Sequence, residues 1–329
     1  MFYLLSIALC CAVLFIVLAG TSAVSIWVGR LLRPAASSLA PATAANLLFT
    51  IRILPVFLAS VATFGFVLPA LLKFEPRSTS ELVGWRLLLL AVPGSVLIAM
   101  MALRAINIIR STRLVRVNWS SRSEKLPLQV TDVPVYCLKD TTQGSVLAVL
   151  GFLRPKIFVG RRVLEELTRA ELVAAVEHER AHVTSFDNLK QLVLKVTRYP
   201  AWLNLSGVAD SAWINASEIA ADEAALASGI SVLDLSGALI KVAALSSRAV
   251  VGEMVAASHL VPVENGSSLQ ARVGRLQEIL EGHGPARHAS PRNRMVKIVV
   301  PVTLAVIAYA ACVSTALPWV HEVLEALVR

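Results

Sequence analysis

His178-Glu179-Arg180-Ala181-His182 is the stretch on which the reading of this chain turns. On a helix, side chains four residues apart share one face, so both imidazoles can reach a single Zn²⁺ while Glu179 takes a proton from a water activated there. Leu172, Val173, Ala175 and Val176 precede the pattern and Val183 follows it, which places it in an apolar helix. Two histidines and a glutamate buried in such surroundings would be costly without a metal or other partners. The bland alternative is a satisfied pair of helical histidines. Chance would produce the five-residue pattern in only about one chain in a hundred of this length.

A zinc ion bound in this way needs a third protein ligand, and another helix is expected to supply it. In Ser217-Glu218-Ile219-Ala220-Ala221-Asp222-Glu223-Ala224-Ala225, Glu218 and Asp222 lie one turn apart on the same face of an alanine-rich helix. Glu218 can bind zinc directly, and Asp222 can accept the spare N–H of a zinc-bound histidine and hold its ring. Glu223 points elsewhere; it and Glu177 are the next candidates if Glu218 does not serve. Alone, these carboxylates would read as a solvated helix face, and the histidine pattern is what turns them toward a metal. His259, His283, His288 and His321 have no partner at ligand spacing and read as surface or linker residues.

The composition says where such a site would live. With 56% hydrophobic residues, 16% charged residues and a mean hydropathy of +0.68, the chain is too apolar for an ordinary soluble protein. Uncharged or nearly uncharged runs predict membrane spans at 3–28, 53–72, 87–109 (with Arg104 snorkelling) and 298–320. The first run could be a signal peptide, since Ala19, Ser22 and Ala23 are small, but it has no basic leading region and is too long. Arg104, Arg110, Arg113, Arg116, Arg122 and Lys125 follow the third span, and Arg287, Arg292, Arg294 and Lys297 precede the fourth. Both ends of the central segment are thus expected in the cytoplasm, with both termini outside a bacterial-type cytoplasmic membrane. The net charge of +9 reports this bias and contact with anionic lipid, not nucleic acid, because no aromatic-interleaved basic module is present. Cys10, Cys11 and Cys312 fall in spans and Cys137 stands alone, so neither a disulfide framework nor a cysteine metal site is expected.

The chain therefore divides into a transmembrane part at 1–109, a catalytic domain at 110–281, a linker rich in Gly, Pro, Arg and His at 282–297, the fourth span at 298–320 and a short outer tail at 321–329. Short strands are predicted at 136–138, 145–150 and 156–159 around turn signals at Gly151 and Arg154-Pro155. Helices are predicted at 161–167, from Arg169 through the histidine pattern with Thr168 as N-cap and Glu171 three residues on, and at 187–198, 211–228 and 268–281. A small antiparallel sheet followed by helices makes this an α+β domain beside a four-helix transmembrane part.

The run Val149-Leu150-Gly151-Phe152-Leu153-Arg154-Pro155-Lys156-Ile157-Phe158-Val159, the histidine pattern followed by Asp187 and Asn188, and Glu218 with Asp222 together resemble the M56 membrane metallopeptidases. These include the sensor-proteases of the β-lactam response and are similar to the M48 proteases. The resemblance spans the whole chain and implies a gluzincin-like site holding one Zn²⁺: His178, His182 and Glu218 as ligands, Glu179 as general base and Asp222 behind the ligands. It also aligns Arg272 and Arg275 with a basic helix that could contact substrate or transition state, although ordinary cytoplasmic positive charge explains them equally well. The chain stops at Arg329 and carries no outer S-x-x-K motif, so the penicillin-binding sensor domain is expected to be absent. The expected function is a zinc-dependent endopeptidase cutting a cytoplasmic, repressor-like protein or a membrane protein, as a regulated signalling protease or a housekeeping one, with homo-oligomers allowed. A zinc-binding but non-proteolytic transducer would have no use for Glu179, and a transporter is disfavoured because Arg52 and Arg104, the candidate intramembrane charges, lie near span ends.

Overall fold

The computed structural model describes residues 2–37, 39–74, 84–128, 132–139, 146–198, 207–247, 266–281 and 316–323. The chain divides into two compact units, one made of Met1–Leu32, Thr50–Ala102 and His288–Arg329, the other of Arg33–Phe49 and Leu103–Arg287.

Among the described residues, three helices are long and apolar enough to cross a membrane. They lie in α1 (Phe2–Ser37), α2 (Pro41–Phe74) and α3 (Trp85–Ser121). Each outruns the apolar window that announced it, because hydropathy marks only where charge is missing while a helix continues until its backbone is broken. Polar side chains inside them turn back on their own helix: Ser60 donates to Val56 O at 2.8 Å and Ser95 to Ala91 O at 2.8 Å. Downstream of Pro55, α2 loosens into a π-helical stretch over Val61–Val67, a common adjustment near a residue that lacks an N–H. Leu5, Leu9 and Ala12 of α1 form a core with Val67 and Leu71 of α2 and Leu87 and Ala91 of α3. Gly94 of α3 lies where a Cβ would collide with the Cys11 carbonyl, so the two helices close on a glycine. Of the predicted fourth span, 316–320 is described and helical, and the helix runs on to 323 in the predicted tail, where His321 stacks on Phe74 at 5.5 Å; residues 298–315, the linker 282–297 and the end of the tail lie outside the described residues.

The second unit is built on a four-stranded sheet, β1 (Ser123–Lys125), β2 (Val135–Leu138), β3 (Leu147–Leu150) and β4 (Lys156–Gly160), in the order β1-β2-β4-β3. It is mixed and not antiparallel as the sequence suggested, since β2 and β4 run parallel while β1–β2 and β3–β4 are antiparallel. The cause is local: β3 and β4 form a hairpin whose turn begins at Gly151 (φ +111°), and β4 takes the inner place beside β2.

Ile157, Phe158 and Val159 of β4 are fully buried because both faces of the sheet are covered. On one face Val135, Val149, Ile157 and Val159 meet Val163 of α4 (Arg161–Glu166), Leu172, Ala175 and Val176 of α5 (Arg169–Thr184) and Ala238 of α8 (Val232–Ser247). On the other, Leu138, Ala148, Leu150 and Phe158 meet Ile108 and Trp119 of α3, with the Trp119 ring edge-on to Phe158 at 5.6 Å. The remaining helices are α6 (Asp187–Val196), α7 (Gly207–Ala227) and α9 (Gly266–Leu280). Helix α5 begins with the expected capping box: Glu171 N–H donates to Thr168 Oγ1 at 3.2 Å and Thr168 N–H to Glu171 Oε2 at 2.7 Å. The sequence reading did not foresee α8 or β1, although Ser231 accepts from the Leu233 N–H at 3.2 Å, a start signal that could have located α8.

Candidate metal centre

The register of α5 follows from its apolar residues. Leu172, Ala175 and Val176 turn toward the sheet and Ala174 toward α8 and α9, leaving His178 buried and His182 one turn further along the same face. Helix α7 brings Glu218 against both rings, with Oε2 at 3.4 Å from His178 Nε2 and Oε1 at 3.6 Å from His182 Nε2. The two Nε2 atoms are 3.2 Å apart, and the candidate ligand atoms of His178, His182 and Glu218 all lie within 4.8 Å of one another.

The other ring nitrogens decide what this arrangement can hold. His182 Nδ1 is 2.8 Å from Asp187 Oδ2, and His178 Nδ1 is 3.0 Å from Asp222 Oδ1, the latter close but not aligned as a hydrogen bond. A carboxylate beside Nδ1 keeps the proton there, which turns the Nε2 lone pair of each ring into the centre. Two such lone pairs and a carboxylate repel one another unless a cation lies among them, so the donor set fits a zinc ion. Burial pushes both imidazoles toward the neutral form, but Asp222 and Glu218 at His178, and Glu218 and Asp187 at His182, outweigh it and raise their proton affinity. Burial also opposes the charge on Glu218, yet the two histidines and Arg272 hold its carboxyl well below the usual range. These groups attract positive charge strongly.

Glu179, half-buried, lies within electrostatic reach of both histidines; burial raises its proton affinity while His182 and His178 oppose the rise. Arg272, which the sequence could not separate from ordinary positive charge, is 3% exposed and lies within the cluster. It donates from Nη1 to Glu218 Oε2 at 2.9 Å and grips Asp222 through Nε at 2.8 Å and Nη2 at 2.7 Å. Burial again opposes the charge on Asp222, and Arg272 and His178 overcome it. Arg275 is elsewhere, pairing at 2.5 Å with Glu223, while Glu177 is held by Arg180 at 2.9 Å; both alternative third ligands are engaged away from the centre.

Two contributors had been noticed in the sequence only as neighbours of the histidine pattern. Asp187 reaches His182 because Phe186 adopts a left-handed conformation (φ 57°), which reverses the chain between α5 and α6 at a strain of about 1 kcal/mol. Asn188 donates to the carbonyls of Val149 at 3.1 Å and Gly151 at 3.2 Å, tying α6 to the end of β3. An acid five residues past a candidate ligand histidine was the available sign for Asp187; the turn that makes it count is not written in the pattern.

Comparison with known proteins agrees with this geometry. No curated protein and no solved structure matches the chain. A family model described as "BlaR1 peptidase M56" matches residues 77–276, a stretch running from before α3 into α9 and containing every residue of the candidate centre. That match covers more than half of the 329 residues, and the chain accordingly belongs to the M56 family of membrane-associated metallopeptidases.

Proposed function

We propose that this protein is a zinc-dependent endopeptidase that holds one Zn²⁺ between His178, His182 and Glu218 and cuts a cytoplasmic protein, or the cytoplasmic part of a membrane protein, in regulated signalling. The observation that carries the reading is the convergence of the three ligand atoms within 4.8 Å beside Glu179. When bound, zinc would supply a Lewis acid that polarises the scissile carbonyl and makes water acidic enough to attack near neutral pH. Glu179 is the base: its carboxylate takes the proton from the attacking water and passes it to the leaving amine, work worth about 10²- to 10⁴-fold. Asp187 and Asp222 keep the Nδ1 protons and hence the direction of both rings. Arg272 holds Glu218 and Asp222 in place, which supports a role as a positioning group.

β3 forms one edge of the sheet and can add an extended substrate strand. Asn188 occupies the carbonyls of Val149 and Gly151, so pairing would run along the Leu147 end. The basic residues flanking spans three and four support a cytoplasmic domain with both termini outside. The test compares proteolysis of cellular proteins by the native chain and by Glu179→Gln, which keeps the ligands. A substrate fragment present with the native chain and absent with Glu179→Gln is expected, and identical fragment patterns would sink the peptidase reading. Labelling of an introduced cysteine within 282–294 from outside intact cells would reverse the topology.

A further inference from the structure

The carboxylate that holds His182 is itself held. Asp187 gives Oδ2 to the ring at 2.8 Å and turns Oδ1 toward Lys190 Nζ at 3.5 Å, one turn further along α6. Lys190 also donates to Asn46 Oδ1 at 2.9 Å, and its ammonium lies 6.0 Å from the centre of the Phe49 ring. Asn46 and Phe49 are one turn apart in the first turns of α2, within the stretch Arg33–Phe49 that belongs to the catalytic unit. Ala45, Leu48 and Phe49 of that stretch pack against Leu194 of α6 and Trp213 of α7, the latter five residues before Glu218. The start of α2 therefore touches both helices that bring partners to the histidines. Beyond Phe49 the same helix continues through the apolar run to Phe74.

We propose that Lys190 is a positioning residue for His182 and that Asn46 sets where Lys190 sits, so that the first turns of the second hydrophobic helix govern the geometry of the metal centre. This rests on His182 being a metal ligand. An ammonium near one oxygen of Asp187 fixes the plane of the carboxylate, and that orientation reaches the metal through the imidazole the other oxygen holds. With the Lys190 and Asp187 side chains 19% and 12% exposed, water screens this interaction poorly. An ordinary helix-surface pair three residues apart would need neither the amide of Asn46 nor the Phe49 ring above it. The occupant of this relay is the chain itself: displacement of the start of α2 withdraws Asn46, frees Lys190 and loosens Asp187.

The experiment uses the full-length protein in detergent, stripped of metal and titrated with Co²⁺ alone, whose visible absorption reports both affinity and ligand geometry. Lys190→Met is expected to weaken cobalt binding by about tenfold or more and shift the bands. Asn46→Ala should move both readouts the same way by less, Lys190→Arg should restore most of the loss, and the double substitution should equal Lys190→Met alone. Lys241→Met, at a lysine that pairs with Glu171, should change neither. Native affinity and bands in Lys190→Met and Asn46→Ala, additive losses in the double variant, or an equal shift in Lys241→Met would each overturn the proposal. Should Lys190→Met fail to fold, Asn46→Ala decides, since it alters an exposed position, and unchanged bands there overturn the link. A native chain that takes up no cobalt would instead overturn the metal reading, and this inference with it.

Discussion

The two sides of the metal centre are anchored by different means. On the side of α7 and α9, Glu218 and Asp222 are buried and Arg272 binds both carboxylates, a closed arrangement in which each charge is answered from inside the domain. On the side of α6, Asp187 holds His182 with a less buried lysine behind it, and that lysine leads to Asn46 on α2. The first arrangement fixes the centre because a charge there has nowhere else to go. The second leaves it adjustable, since its outer members can shift without stranding a buried charge.

The largest effect separating the two sides should come from Arg272→Leu. Removing this one cation leaves two buried carboxylates facing each other, and a loss of about 3–5 kcal/mol of stability is expected in denaturant unfolding. Unchanged stability would mean the closed side is not what braces the centre. Asp187→Asn should do the reverse. Its expected cost is about 10- to 100-fold in zinc affinity, with the unfolding midpoint nearly unmoved, as read by competition with a chromogenic chelator. A large fall in stability with native affinity would exchange the roles given to the two sides.

A smaller loss tests the frame both sides share. Thr168→Ala removes the cap of the helix that bears both histidines and should cost about 1 kcal/mol without changing metal content. At the same cap, burial raises the proton affinity of Glu171, but Lys241 and Thr168 hold its carboxyl below the ordinary value. A carboxyl depressed on folding adds stability above its unfolded pKa and loses it as pH falls through the folded one. Glu171→Gln should therefore narrow the stability gap to the native chain as the medium is made acidic. A gap that widens toward acid would contradict the sign. The smallest effect belongs to Arg275→Ala, whose half-exposed pair with Glu223 should contribute under about 1 kcal/mol and leave affinity unchanged.

What could be read in advance divides along the same line. The shared face of His178 and His182 and the Thr168 cap were legible because they depend on spacing within one helix, and the placing of Glu218 with Asp222 because one helical turn separates them. Arg272 was noticed but not placed. Its partners lie about fifty residues earlier in sequence, and a basic residue close to a membrane has an easier explanation. Asp187 depends on a left-handed turn at a phenylalanine, where the residue type gives no warning. The parallel pairing of β2 with β4 is a matter of strand order, which short alternating runs do not encode. The three apolar helices were found where charge was absent, but not their ends.

The central claim is that His178, His182 and Glu218 together hold one zinc ion while Glu179 does not, and metal analysis of the purified full-length chain tests it most directly. The expected result is close to one zinc per chain in the native protein and in Glu179→Gln, and loss of the metal in His178→Ala, His182→Ala and Glu218→Ala, because too few ligands remain in each. Full zinc occupancy in the two histidine variants would contradict the account, and full occupancy in Glu218→Ala alone would move the third ligand elsewhere.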